Sequence, residues 1–160
     1  MKLVIGLGNP EEKFVNNRHN VGHMFVDAAA DKLSNTEVKI LKTDTFMNES
    51  GKFVRKWTDF YKVAPEDLYI VHDDLDMRIG QYKIQLGIGP KVHYGVNSVE
   101  EALSDKNFWR IRIGVDDRDV NSRTPGEEYV LQDFTTEEKK VLEDIFPKIW
   151  EELHELKIKN

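Results

Sequence analysis

Apolar residues recur along this chain in two rhythms. Lys2 to Leu7 is a short apolar run closed by Gly8-Asn9-Pro10, which predicts a buried strand ended by a turn, since proline cannot continue a hydrogen-bonded ladder. Val21, Met24, Phe25, Ala28, Ala29 and Leu33 then follow at spacings of three and four, a helix with Asn20 placed to cap it. Glu37 to Lys42 predicts a second strand. From Asn48 an amphipathic stretch carries Phe53, Val54, Trp57, Phe60 and Tyr61 on one side, until Pro65 breaks it. Leu68-Tyr69-Ile70-Val71 is a central strand ending in the polar run His72-Asp73-Asp74. Gln81 to Leu86 alternates as a strand does, the loop Gly87 to Tyr94 leads to a helix near Val96 to Leu103, and Trp109 to Val115 alternates again. Thr135 and Glu138 have capping-box spacing ahead of Val141, Leu142, Ile145, Ile149, Leu153 and Leu156, one face of a last helix with a kink expected at Pro147.

Strands and helices thus alternate, which predicts an α/β fold: a three-layer sandwich with helices on both faces of a twisted, mixed, mostly parallel sheet. Gln81 to Leu86 follows its predecessor too closely for a helical crossover, so it is expected to pair antiparallel. The 160 residues suit one domain over 1–160, and 39% apolar content is enough for one core.

Composition then narrows the function. The chain has no cysteine, which excludes thiolate catalysis and fits a cytoplasmic location. Its N-terminal run is too short and too broken by glycine for a membrane span or a signal peptide. Net charge is −6, against binding nucleic acid through the overall field, but the charge is uneven. Residues 78–123 carry 8 basic and 6 acidic side chains, whereas 124–160 carry 5 and 10. A local basic face on an acidic protein is therefore expected, with an acidic helix at the end.

In such sheets ligands bind at the carboxyl ends of strands. Gly8-Asn9-Pro10, Thr45-Phe46-Met47-Asn48 and His72-Asp73-Asp74 all fall there, and Arg18-His19-Asn20 precedes a helix that can start on the same edge. His19 hydrogen-bonded to Asp73 would be a base held in one tautomer, free to take a proton from water at its other nitrogen. Asn9, Asn20 and Asn48 can hold amide or ester groups, although caps and turns account for asparagine equally well. Gly6-Leu7-Gly8 opens like a dinucleotide fingerprint, but Glu11 stands at the third glycine position. His72, Asp73, Asp74 and Asp76 could suggest a metal, except that strand alternation sends neighbours to opposite faces. No Gly-x-Ser-x-Gly elbow is present, which leaves water activated by a histidine-aspartate pair as the simplest hydrolytic chemistry.

Gly6-Leu7-Gly8-Asn9-Pro10, Arg18-His19-Asn20-Val21-Gly22, Thr45-Phe46-Met47-Asn48-Glu49-Ser50-Gly51 and His72-Asp73-Asp74-Leu75-Asp76 occur in the order and spacing of bacterial peptidyl-tRNA hydrolases. Phe108 to Gly114 and Tyr129 to Phe134 are similar to later blocks of that family, so the chain resembles a divergent, shortened member over nearly its whole length. The resemblance implies a cytoplasmic monomer that hydrolyses the ester between peptide and tRNA in peptidyl-tRNA, with no cofactor or metal. It implies His19 as general base, Asp73 as its orienting partner, and Asn9 and Asn48 on the peptide and the reacting carbonyl. Phe14 and Met47 would line the peptide groove, and Lys83 and Arg112 would grip a tRNA phosphate. Two features depart from the family. The segment 34–44 is short, and the loop 87–95 replaces glycines by Pro90-Lys91-Val92 and puts Tyr94 at a substrate-binding position where asparagine is expected. The alternative is a catalytically impaired RNA-binding relative on the same fold.

Overall fold

A computed structural model describes residues 1–33 and 37–159. Five strands, β1 (Lys2–Gly6), β2 (Val38–Lys42), β3 (Leu68–Arg78), β4 (Tyr82–Leu86) and β5 (Trp109–Asp116), form one sheet in the order β2-β1-β3-β5-β4. All neighbours run parallel except β4, which pairs antiparallel with β5 as its short connection requires. Residues 34–36, within the segment 34–44 expected to be short, lie outside the described residues.

Helices α1 (Val21–Leu33), α2 (Ser50–Tyr61), α3 (Tyr94–Leu103), α4 (Gly126–Tyr129) and α5 (Thr136–Lys159) complete the fold. Strand alternation divides the core in two. Val4, Tyr69, Val71, Ile111, Ile113 and Val115 face α1 and α5, with Phe25 and Phe146 meeting edge to face at 5.5 Å. Leu3, Ile5, Leu68 and Ile70 face α2 and α3 on the other side. The expected three layers are present. Helix α5 runs on through Pro147 and is amphipathic: its acidic face is exposed, while Leu142, Ile145, Phe146, Ile149 and Leu153 are buried, each such side chain contributing about 1.5–3 kcal/mol. Among the described residues no helix is long and apolar enough to cross a membrane.

Several element ends differ from the sequence expectation, each for a physical reason. Strand β3 does not stop at His72-Asp73-Asp74 but continues to Arg78, because β5 keeps pairing with it after β1 has ended opposite Val71. Asn20 does not cap α1: it sits in a 3-10 turn, Arg18–Asn20, and spends its amide on the backbone of Asn9. Asn48 likewise lies in a turn, Met47–Glu49, and α2 begins at Ser50. Helix α3 starts at Tyr94, two residues early, because the His93 side chain accepts a hydrogen bond from the Val96 amide and so caps it. The short helix α4 carries no strong periodicity and was not anticipated.

The strand order reverses between β1 and β3: the chain leaves β1 for β2 on one side and later crosses to β3 on the other. Such a reversal opens a crevice at the carboxyl ends of those two strands. The start of α1 closes its floor through Gly22, where a Cβ would stand 2.5 Å from the Val71 carbonyl oxygen and 2.6 Å from that of Leu7. Only glycine allows this approach. We expect Gly22→Ala to destabilise the protein by about 2 kcal/mol or more, read as a fall in the urea unfolding midpoint, because the obstructing atoms are backbone and cannot turn aside.

Candidate active site

Five segments meet β3 at that crevice. The turn after β1 is held from both sides: Asn20 Oδ1 accepts the Asn9 amide and Asn20 Nδ2 donates to the Asn9 carbonyl, both at 2.9 Å. Beneath it the Thr43 hydroxyl donates to the Gly8 carbonyl at 3.2 Å and accepts from His23 Nε2 at 2.9 Å. Asn9 in turn accepts the Met47 amide on Oδ1 at 2.9 Å. This leaves Asn9 Nδ2 as a donor for whatever occupies the crevice. One asparagine therefore links the segments after β1 and β2, and a second links both to the turn that carries His19.

Asp73, on β3, is the centre of the cluster. Its Oδ2 lies 2.8 Å from His19 Nδ1 and its Oδ1 lies 2.7 Å from His93 Nε2. Because His93 Nδ1 accepts the Val96 amide, the His93 proton sits on Nε2 and is donated to the carboxylate. His19 donates from Nδ1, because a carboxylate can only accept, and this leaves its Nε2 available in the cleft that His19 lines. His19 is 14% exposed at its side chain and Asp73 only 3%. A third ring, His72, donates from Nδ1 to the Asp73 carbonyl at 2.7 Å and stands edge-on to His93 at 5.2 Å, its Nε2 buried without a partner.

The electrostatics follow from this packing. Burial opposes charge on His19, but the Asp73 carboxylate outweighs it through charge and hydrogen bonding, so the His19 pKa is raised from 6.5. Burial likewise opposes the Asp73 charge, yet the two imidazoles hold its carboxyl well below the usual range. Burial, reinforced by the neighbouring His93, pushes His72 down to about 3, and burial with Lys42 nearby takes His23 down to about 4. His19, Asp73 and His93 are also close enough to be compared with a metal centre. Their N to O separations of 2.7 and 2.8 Å are those of charge-assisted hydrogen bonds, whereas ligands each about 2.0–2.1 Å from a tetrahedral zinc stand roughly 3.3 Å apart. The donor set is closed up as a hydrogen-bonded triad.

The cleft has a volume of about 690 Å³. Asn9, His19, Asn48, Asp73, His93 and Glu127 supply its polar groups, and Phe46, Met47, Leu75, Val92, Tyr94, Val130 and Leu131 are among its apolar walls. Asn9, His19, Met47, Asn48, Asp73 and Tyr94 are thus brought together. Phe14, expected in the groove, is not among the lining residues; it sits in the turn Glu12–Phe14 with Lys13 over its ring. Lys83 and Arg112 stand opposite each other on β4 and β5, but only Lys83 is exposed. Arg112, expected beside it as a phosphate ligand, turns inward: its Nε donates to Asp74 at 2.7 Å and its Nη1 to Gln85 at 2.7 Å. The contributions of His93 and of Pro125 to Leu131 were not foreseen. The capping position of His93, three residues before Val96, was the one signal that could have drawn attention to it.

A family model described as peptidyl-tRNA hydrolase matches residues 3–159. A peptidyl-tRNA hydrolase of Desulfitobacterium hafniense is 35% identical over 92% of this chain and 88% of its own length, and one of Mycoplasmopsis synoviae is 38% identical over 91% and 83%. The crystal structure of peptidyl-tRNA hydrolase from Acinetobacter baumannii superposes with a TM-score of 0.82 at 31% identity, covering 92% of this chain and 83% of that one.

The pKa directions carry a stability consequence with a definite sign. Folding raises the His19 pKa, so its protonation favours the folded state below pH 6.5, and this gain fades as pH rises through the folded-state value. Folding lowers those of His72 and His23, so the unfolded chain takes up protons the folded one refuses. That loss sets in below 6.5 and grows toward their folded values of about 3 and about 4. Asp73 adds a further loss as pH falls below about 4. Imidazole NMR titration is expected to show His19 protonating above 6.5 and His72 still neutral at pH 5. A His72 that charges with His19 would contradict this assignment.

Proposed function

The chain belongs to the peptidyl-tRNA hydrolase family, and on that basis we propose that it cleaves the ester joining a peptide to the terminal ribose of tRNA, using water activated by His19. The observation that carries this reading is the His19 Nδ1 to Asp73 contact of 2.8 Å, with the other imidazole nitrogen turned to the cleft.

In this mechanism His19 Nε2 takes a proton from water as the water oxygen bonds to the ester carbonyl carbon. Asp73 keeps Nε2 unprotonated beforehand by holding the proton on Nδ1, and stabilises the imidazolium afterwards. Charge on the tetrahedral intermediate collects on the former carbonyl oxygen, within reach of Asn9 Nδ2 and the Asn48 amide as donors. Collapse breaks the bond to the ribose oxygen, which receives the proton from His19. The peptide carboxylic acid gives its remaining proton to solvent, and peptide carboxylate and free tRNA leave. The apolar walls suit the peptide, and exposed Lys83 suits a phosphate of the tRNA, with Arg112 fixing the strand behind it. The alternative of a binder without catalysis has less support, because the His19–Asp73 pair is intact. Tyr94 stands 61% exposed at the rim and takes no part in the triad's hydrogen bonds.

Purified protein is expected to release tRNA from N-blocked aminoacyl-tRNA, and His19→Ala to lose at least roughly a hundredfold in kcat. A folded wild type with no turnover would refute the reading. The rate should fall as pH drops through the raised His19 pKa, since only neutral His19 accepts a proton. For the RNA contact, Lys83→Ala should reduce the slope of log binding constant against log salt by about one. An unchanged slope removes Lys83 from the interface.

A further inference from the structure

Arg18 adjoins the base His19 in sequence, yet its side chain turns away from the cleft and is 6% exposed. Its two terminal nitrogens are hydrogen-bonded, while its Nε is buried without a partner. Its Nη2 meets Glu138 Oε1 at 2.7 Å, and its Nη1 donates to the carbonyls of Gln132 and Tyr129 at 3.3 and 3.4 Å. The guanidinium lies 4.0 Å from the centre of the Tyr129 ring. Glu138 is engaged too: Oε1 also accepts the Thr135 amide at 2.7 Å, and the Glu138 amide donates to the Thr135 hydroxyl at 3.1 Å, closing the capping box of α5.

The backbone runs in parallel with this contact. The His19 amide donates to the Val130 carbonyl at 2.8 Å, Arg18 N to Gln132 O at 3.2 Å, and Phe134 N to Asn16 O at 2.9 Å. Asn17 Nδ2 donates to Asp133 at 2.6 Å. The partner segment is the one that supplies Pro125 to Leu131 to the cleft wall. One guanidinium therefore joins the turn bearing His19, the wall of the cleft and the first turn of α5.

A buried ion pair is a weak device for stability, since apolar side chains of similar volume commonly hold such a place as well or better. Arg cannot shed its charge, and its planar fork fixes direction as well as distance. Directional control is what the arrangement supplies and a leucine would not. We propose that Arg18, locked by Glu138, is a positioning residue that sets the aim of His19 at the substrate and its register against Asp73 and the 125–131 wall. This rests on the hydrolytic reading for its kinetic part alone.

The test compares wild type with Arg18→Lys, the double variant Arg18→Met with Glu138→Gln, and Glu138→Gln alone. Glu138→Gln keeps the capping oxygen but leaves the Arg18 charge buried without its counter-ion, so the double variant, which removes both charges, is the one expected to fold best. Folding is checked by thermal unfolding, kcat and KM are measured on N-blocked aminoacyl-tRNA, and His19 is titrated by NMR. Groups in contact with His19 are Asp73 from β3 and His93 from the cap of α3, while Glu127 of α4 lines the same cleft, and all remain in every variant. The double variant is expected to fold and lose about 10- to 100-fold in kcat, with a smaller change in KM, as displacements of about 1 Å do. Its His19 midpoint should move down as the contact with Asp73 loosens, and Arg18→Lys and Glu138→Gln should fall between it and wild type. Folded variants with kcat within twofold of wild type and an unmoved His19 midpoint overturn the proposal. If wild type itself does not turn over, the hydrolytic reading fails, while the His19 midpoint still decides the positioning role.

Discussion

Everything at this site depends on one carboxylate kept ionised without water. Asp73 is almost wholly enclosed, and an isolated charge in such a place would neutralise. It remains a carboxylate because each oxygen receives an N–H from a different imidazole, His19 on one side and His93 on the other. Those donors are themselves fixed: His93 by the Val96 amide, and His19 by the backbone of Val130. Without the second histidine one carboxylate oxygen would lose its donor, and the burial that opposes the Asp73 charge would be less fully offset.

The sheet makes this enclosure possible. At the reversal between β1 and β3, one strand ends and its neighbour runs on, so Asp73 projects past the point where β1 has turned away at Gly8 and Asn9. The gap is filled by the start of α1, which approaches through Gly22, and the glycine contact thereby brings the His19 turn over the strand end. What distinguishes this chain is the set of side chains placed on that edge.

The periodic elements were legible because they answer to local rules. Alternation of Val4, Tyr69 and Val71 against Leu3, Leu68 and Ile70 sorts the two faces of the sheet without any knowledge of what covers them. The capping box of Thr135 and Glu138 was legible for the same reason. Asparagine caps helices well in isolation, but Asn20 spends its amide on the Asn9 backbone instead, and Asn48 lies in the turn ahead of α2. The resemblance implies Arg112 on a tRNA phosphate beside Lys83, whereas its guanidinium is held by Asp74 and Gln85, partners that sequence spacing does not reveal. His93 and Arg18 carry no local signature of their tasks, since each acts on groups 20 to 120 residues away.

The chain by itself thus determined a mixed α/β sheet, an edge on which polar residues gather, and the pairing of His19 with Asp73 as the chemistry to expect there. Residue type, period and turn chemistry are short-range properties, and they suffice for that much. The tertiary structure decided which asparagines hold backbone and which face the cleft, which arginine is buried, and that Asp73 serves two histidines. Those outcomes turn on burial and on competition among hydrogen-bond partners distant in sequence, and only the folded chain brings such partners within 3 Å of one another.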